Sequence, residues 1–251
     1  MAGFFLYYVK LETLFYKIKT YLRKLILPDN MIKAVLFDLD NTLIDFMRMK
    51  RNSCEAAISA MIDAGLRVNK DKALKKLFEL YDKYGLEENK IFQKFLKEES
   101  SYIDYRILAN AIVAYRNVRS SYLQPYPHTD YVLIRLKSKG IKLGIVTDAP
   151  KLKAWIRLMA MKIGNFFDVV VAFEDTKQLK PSSLPFEAAL RKLHIKAEEC
   201  LMVGDMPHRD VEGAKRLGIK TCFARYGNPK IKKSKADYEI RDIKELLKIV
   251  K

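Results

Sequence analysis

With 251 residues, the chain exceeds one ordinary compact domain and corresponds to between one and two domains of about 150 residues. Hydrophobic residues at 49%, charged residues at 31%, and only 10 Gly and 8 Pro without low-complexity tracts exclude collagen-like, mucin-like and largely disordered classes. The net charge of +17 attracts anions, but the basic residues are spread along the chain rather than gathered with interleaved aromatics, so no dedicated nucleic-acid site is expected.

Residues 1–30 place Phe4, Leu11, Leu14, Ile18 and Leu25 on one helical stripe, with Lys10, Lys17 and Arg23 elsewhere. The spacing predicts an extra amphipathic helix, packed on the body of the protein, used as a homodimer contact, or lying on a membrane surface. Lys10 and Glu12 interrupt the apolar run, so no transmembrane segment is expected, and the order of charges is wrong for a secretory signal. Met31, one residue before a strand-like run, is an alternative start.

From there the pattern alternates. The runs 32–37, 141–146, 168–172, 200–203 and 219–223 read as buried strands, with helical patterns at 128–139, 150–163, 182–194 and 208–217 between the later ones. A last short strand at 237–240 precedes a helix at 241–250. The class is therefore α/β: a doubly wound parallel sheet, which binds ligands at the carboxyl ends of its strands. Residues 46–123 break the rhythm with helical stretches near 50–64, 70–84, 88–98 and 103–119 and no strand. They read as an inserted all-helical domain, leaving a core of residues 31–45 and 124–251, re-entered at Pro125-Tyr126-Pro127.

Reactive residues gather at the strand ends. Asp38 and Asp40 follow the first strand two residues apart and in extended geometry point the same way, a repulsion relieved by a cation or by a proton, unless they are simply solvated acids capping the strand end. Thr147-Asp148 follow the second strand, offering a hydroxyl and a backbone N–H to an anion, or simply capping a helix. Lys180 precedes a helix, a position from which a lysine neutralises a phosphate or, as for most of the many lysines here, is simply solvated. Asp205 and Asp210 end the fourth strand, with oxygens suited to a hard cation such as Mg²⁺. The cysteines, Cys54, Cys200 and Cys222, are far apart and odd in number, which leaves no disulfide framework or CxxC motif and fits a cytoplasmic location.

These segments, FDLDNTL, VTD, LKP and VGDMPHRD, in this order, resemble the motifs of the haloacid dehalogenase (HAD) superfamily over residues 32–250, and 46–123 resembles the helical cap placed after the first motif. The resemblance implies a Rossmann-like core and a Mg²⁺-dependent phosphatase acting on a small phosphorylated metabolite. Asp38 would be the nucleophile forming an aspartyl-phosphate and Asp40 the general acid and base. Thr147, the Asp148 amide and Lys180 would bind phosphate. Mg²⁺ would be held by the Asp38 and Asp205 side chains and the Asp40 carbonyl, with Asp210 supporting or replacing a ligand and Thr42 steadying the Asp40 loop. Two departures stand out: position 148 is often Asn in relatives, and Lys177 replaces a common glycine three residues before the motif lysine. His208 and Arg209 lie near enough to reach the cleft or to remain on the surface. A phosphomutase or dehalogenase of the same fold is the enzymatic alternative, and a non-catalytic basic binding protein the other.

Overall fold

The computed structural model describes residues 31–251. The expected amphipathic helix, its homodimer or membrane contact and the segment before Met31 lie outside the described residues.

Strand β1 (Ala34–Phe37) is buried along its whole length, as a central parallel strand requires. Four helices follow: α1 (Phe46–Asp63), α2 (Lys70–Tyr84), α3 (Ile91–Ser100) and α4 (Tyr105–Ser121). The chain then runs through α5 (Thr129–Ser138), β2 (Lys142–Val146), α6 (Lys151–Ala160), β3 (Val169–Val171), a one-turn helix α7 (Phe173–Thr176), α8 (Leu184–Leu193) and β4 (Cys200–Gly204). It ends with the short helix α9 (Glu212–Lys215), β5 (Lys220–Ala224), β6 (Tyr238–Ile240) and α10 (Leu246–Ile249).

The six strands form one parallel sheet in the order β3-β2-β1-β4-β5-β6. Alternation along β1 sends Val35 and Phe37 into one apolar cluster and Ala34 and Leu36 into another, so both faces of the sheet are covered. The chain winds outward from β1 through β2 to β3, then crosses to β4 and winds the other way. Beside β1 the loops therefore diverge, and their carboxyl ends frame a crevice.

Helices α1–α4 carry a separate core that includes Ile58, Met61, Leu77, Phe95 and Leu108. Their starts are local: the side chains of Asp45, Asn69 and Asp104 each accept a bond from a first-turn N–H. Capping at Asp45 starts α1 at Phe46, four residues earlier than its periodicity suggests. The helix expected at 208–217 is instead a wide turn over Pro207–Val211 that continues into α9. Here the Asp210 carboxylate folds back to accept the Met206 N–H at 2.9 Å, widening the turn. Likewise, 241–250 divides into a 3₁₀ turn over Ile243–Glu245 and α10. No helix among the described residues is long and apolar enough to cross a membrane.

Candidate active site

The crevice gathers residues from four loops. The Asp38 N–H donates to the Val203 carbonyl at 2.9 Å, tying the end of β1 to β4, and the Thr147 N–H donates to Val171 at 3.0 Å, tying β2 to β3. Asp38, Lys180, Asp205 and Asp210 are thereby enclosed with at most 3% of their surface exposed. Oxygens of Asp38, Asp205 and Asp210 lie within 4.8 Å of one another. Gly204 is needed for this approach, since a β-carbon there would collide with the Asp210 carboxyl.

Lys180 is the cation in the middle. Its Nζ donates to Asp38 Oδ1 at 2.7 Å, to Asp210 Oδ1 at 2.6 Å and to the Val146 carbonyl at 2.9 Å. Burial works against its charge, but the carboxylates of Asp210 and Asp38 more than offset this and raise its pKa above the ordinary value. One ammonium among three buried carboxylates leaves negative charge uncompensated. Burial, together with Asp38 and Asp210, accordingly raises the Asp205 pKa, and burial likewise raises that of Asp210. Asp205 Oδ1 is buried without any hydrogen-bond partner. Three clustered carboxylates, excess negative charge and an orphaned oxygen acceptor fit a hard divalent cation.

Asp40 lies apart from this cluster. Its Oδ2 accepts from Arg157 Nη1 at 3.0 Å, while Oδ1 is enclosed and unpartnered. Burial pushes its carboxyl up to about 7, against the pull of the Arg157 guanidinium and with the help of the Asp38 charge. Thr42 is fully buried: its carbonyl accepts from Tyr226 Oη at 2.8 Å, while its own hydroxyl oxygen has no partner.

The side chain at position 148 turns away from the phosphate position implied for its amide. Asp148 Oδ1 accepts the Lys180 N–H at 2.9 Å and Oδ2 pairs with Arg209 at 3.1 Å, so the carboxylate pins the lysine loop and draws Arg209 to the site. His208 instead faces solvent beside Glu212. Thr147 is buried, with its hydroxyl accepting the Ala149 N–H at 3.2 Å. Lys177 adopts φ 53°, the left-handed backbone that glycine occupies without strain.

A cavity of about 1120 Å³ lies between the helical layer and the carboxyl ends of the strands and opens onto Asp205. Arg48, Arg51, Lys75, Arg209 and Lys230 line it against only two acids, Asp71 and Asp205, which favours an anionic ligand. Arg157 and Glu87, which bear on Asp40, were not among the expected site residues.

This geometry, with carboxylates and a lysine on successive loops of a doubly wound sheet, defines a hydrolase built to receive a phosphorylated ligand. The family profile for haloacid dehalogenase-like hydrolases matches residues 35–224. The chain is 36% identical over 223 residues to the glyceraldehyde 3-phosphate phosphatase of Methanocaldococcus jannaschii, covering 88% of this chain and 98% of that protein. It is 31% identical over 229 residues to the pyrophosphatase PpaX of Halalkalibacterium halodurans, covering 87% and 97%. It is also similar to the crystal structure of a HAD phosphatase from Thermococcus onnurineus, with a TM-score of 0.65 and 28% identity over 87% of this chain and 98% of that one. The chain belongs to the haloacid dehalogenase-like hydrolase family. It is a phosphohydrolase of the family's aspartyl-phosphate type, acting on a small phosphorylated substrate, and the family implies a divalent metal.

Proposed function

We propose that the chain is a cytoplasmic Mg²⁺-dependent phosphatase of small phosphate monoesters, with a three-carbon phosphate first among the candidates. What carries the reading is the buried Asp38, Asp205 and Asp210 cluster, bridged by Lys180 and left with an unpartnered Asp205 oxygen, at the mouth of a basic cleft. The names of the relatives from M. jannaschii and H. halodurans favour a compact phosphorylated substrate. Three buried free cysteines suit a reducing compartment.

In this reading residues 31–45 and 124–251 are the catalytic core, and 46–123 a cap that closes over the cleft and excludes water. Asp38 attacks phosphorus, and the bond from phosphorus to the leaving oxygen breaks as Asp40 gives that oxygen its proton. Asp40 then takes a proton from water, whose oxygen attacks the aspartyl-phosphate, releasing inorganic phosphate and regenerating the Asp38 carboxylate. A carboxyl with a pKa near neutrality suits both steps. Lys180 holds the nucleophile in place, while Thr147 and the Asp148 amide accommodate phosphoryl oxygens. Mg²⁺ would be held by Asp38, Asp205 and the Asp40 carbonyl, with Asp210 as support or alternative, and would supply compensation for charge on the nucleophile and the phosphoryl group. The buried Thr42 would hold the Asp40 loop through its carbonyl bond with Tyr226.

The test is hydrolysis of p-nitrophenyl phosphate and a panel of triose, sugar and nucleoside monophosphates, with and without Mg²⁺. Asp38→Asn is expected to lose at least about 10³-fold in kcat. Equal turnover by variant and wild type removes Asp38 from its role, and no metal-dependent turnover of any ester defeats the reading.

A further inference from the structure

Arg157 is the largest fully buried side chain in the described structure, with 2% of its surface exposed, and it joins two regions distant in sequence. From α6 it sends Nη1 to Asp40 Oδ2 at 3.0 Å and Nη2 to Glu87 Oε1, in the loop between α2 and α3. That loop is held again one turn earlier on the same helix, where Lys153 Nζ donates to the Glu87 carbonyl at 2.5 Å and pairs with Oε2 at 2.8 Å. The Phe46 ring, at the start of α1, packs 4.5 Å from the Arg157 guanidinium carbon. The guanidinium is thus fixed by the helical layer on one side and by the catalytic loop on the other.

A guanidinium offers donors and no acceptor. The Asp40 oxygen facing it is therefore engaged as an acceptor, and the oxygen free for proton transfer is Oδ1, enclosed and without a partner. We propose that Arg157 is a positioning residue that holds Asp40 Oδ2, presents Oδ1 to the leaving oxygen, and is itself anchored by Glu87, so that proton donation depends on the helical layer being docked. The inference rests on the functional reading above, in which Asp40 protonates the departing alkoxide.

Alkoxide departure needs that proton, whereas p-nitrophenolate leaves without it. The experiment compares kcat on the best alkyl phosphate in the panel with kcat on p-nitrophenyl phosphate for wild type, Arg157→Gln and Glu87→Gln, with folding followed by circular dichroism and thermal melting. The ratio of alkyl to aryl rates is expected to fall at least about tenfold in Arg157→Gln and about threefold in Glu87→Gln. If Arg157→Gln does not fold, Glu87→Gln decides alone. A ratio within twofold of wild type in the folded variants, or one that rises, overturns the inference, because a purely structural role lowers both rates together. Wild type active on the aryl ester but on no alkyl ester also overturns it, since Asp40 then has no acid function to position. Wild type inactive on every ester defeats the functional reading itself.

Discussion

Two buried lysines, one at the carboxyl ends of the central strands and one in the helical layer, respond to burial in opposite ways. Lys180 is surrounded by carboxylates, and its pKa rises although burial alone would lower it. Lys50, in α1, donates to the Leu86 carbonyl at 2.6 Å and to Tyr115 Oη at 3.2 Å and lies 4.2 Å from the centre of the Tyr81 ring. With only neutral partners in contact, burial lowers its pKa to about 8. Depth is similar in the two places, so the charge of the partners decides the sign. The carboxyl ends of the central strands thus hold a lysine by pairing it with carboxylates, while the helical layer holds Lys50 by solvating it with a carbonyl, a hydroxyl and a ring.

Removing the cation from the charged side is the severest way to break the contrast. Lys180→Met strands Asp38 and Asp210 without their partner, and is expected to cost about 3–5 kcal/mol in urea unfolding under chelating conditions and about 10²-fold or more in kcat. A second change sharpens the same side. Wild type should gain about 2.7 kcal/mol of unfolding free energy at a Mg²⁺ concentration 100 times its dissociation constant. Asp205→Asn should lose most of that gain while being no less stable than wild type without metal, since it removes an uncompensated buried charge. A full Mg²⁺ response from Asp205→Asn in thermal melts would remove Asp205 from the cation site.

On the neutral side, pH is the probe. Between about pH 8 and 10.5 the unfolded chain keeps a proton that folded Lys50 has released, so this residue makes stability rise with pH across the window and adds no slope below it, where both states are protonated. The difference across the window is on the order of 3 kcal/mol. Lys50→Met should flatten that part of the stability profile in urea titrations, and an unchanged slope would show that the lysine keeps its ordinary pKa in the fold. The smallest effect is local. Lys177→Gly relieves a side chain in left-handed backbone and should stabilise by roughly 0.5–1 kcal/mol without altering kcat, as read by paired melts and assays.

Much of this organisation was legible in the linear order of residues. Apolar runs of four to six ending in Asp38, Thr147 and Asp205 announced parallel strands with chemistry at their carboxyl ends, and α1–α4 followed their periodicity to within a few residues. Arg157 left one faint signal: it lies on the buried stripe of α6 with Ala154 and Leu158, a position where a charge requires a partner. The partner could not be named, because Asp40 is 117 residues away and Glu87 is 70. Asp148 was equally ambiguous, since a carboxylate beside an anion site is unfavourable until Arg209 and the Lys180 N–H are brought to it.

By itself the sequence determined what depends on neighbours along the chain: the strand and helix periods, the helix caps and the order of acids and lysine at strand ends. Packing alone decided which oxygen of Asp40 is held, that Asp148 faces Arg209 and Lys180, and that Asp205 keeps a bare oxygen. Those outcomes depend on hydrogen-bond distances and burial between segments far apart in the chain, and such energies leave no period or spacing in the residues that supply them.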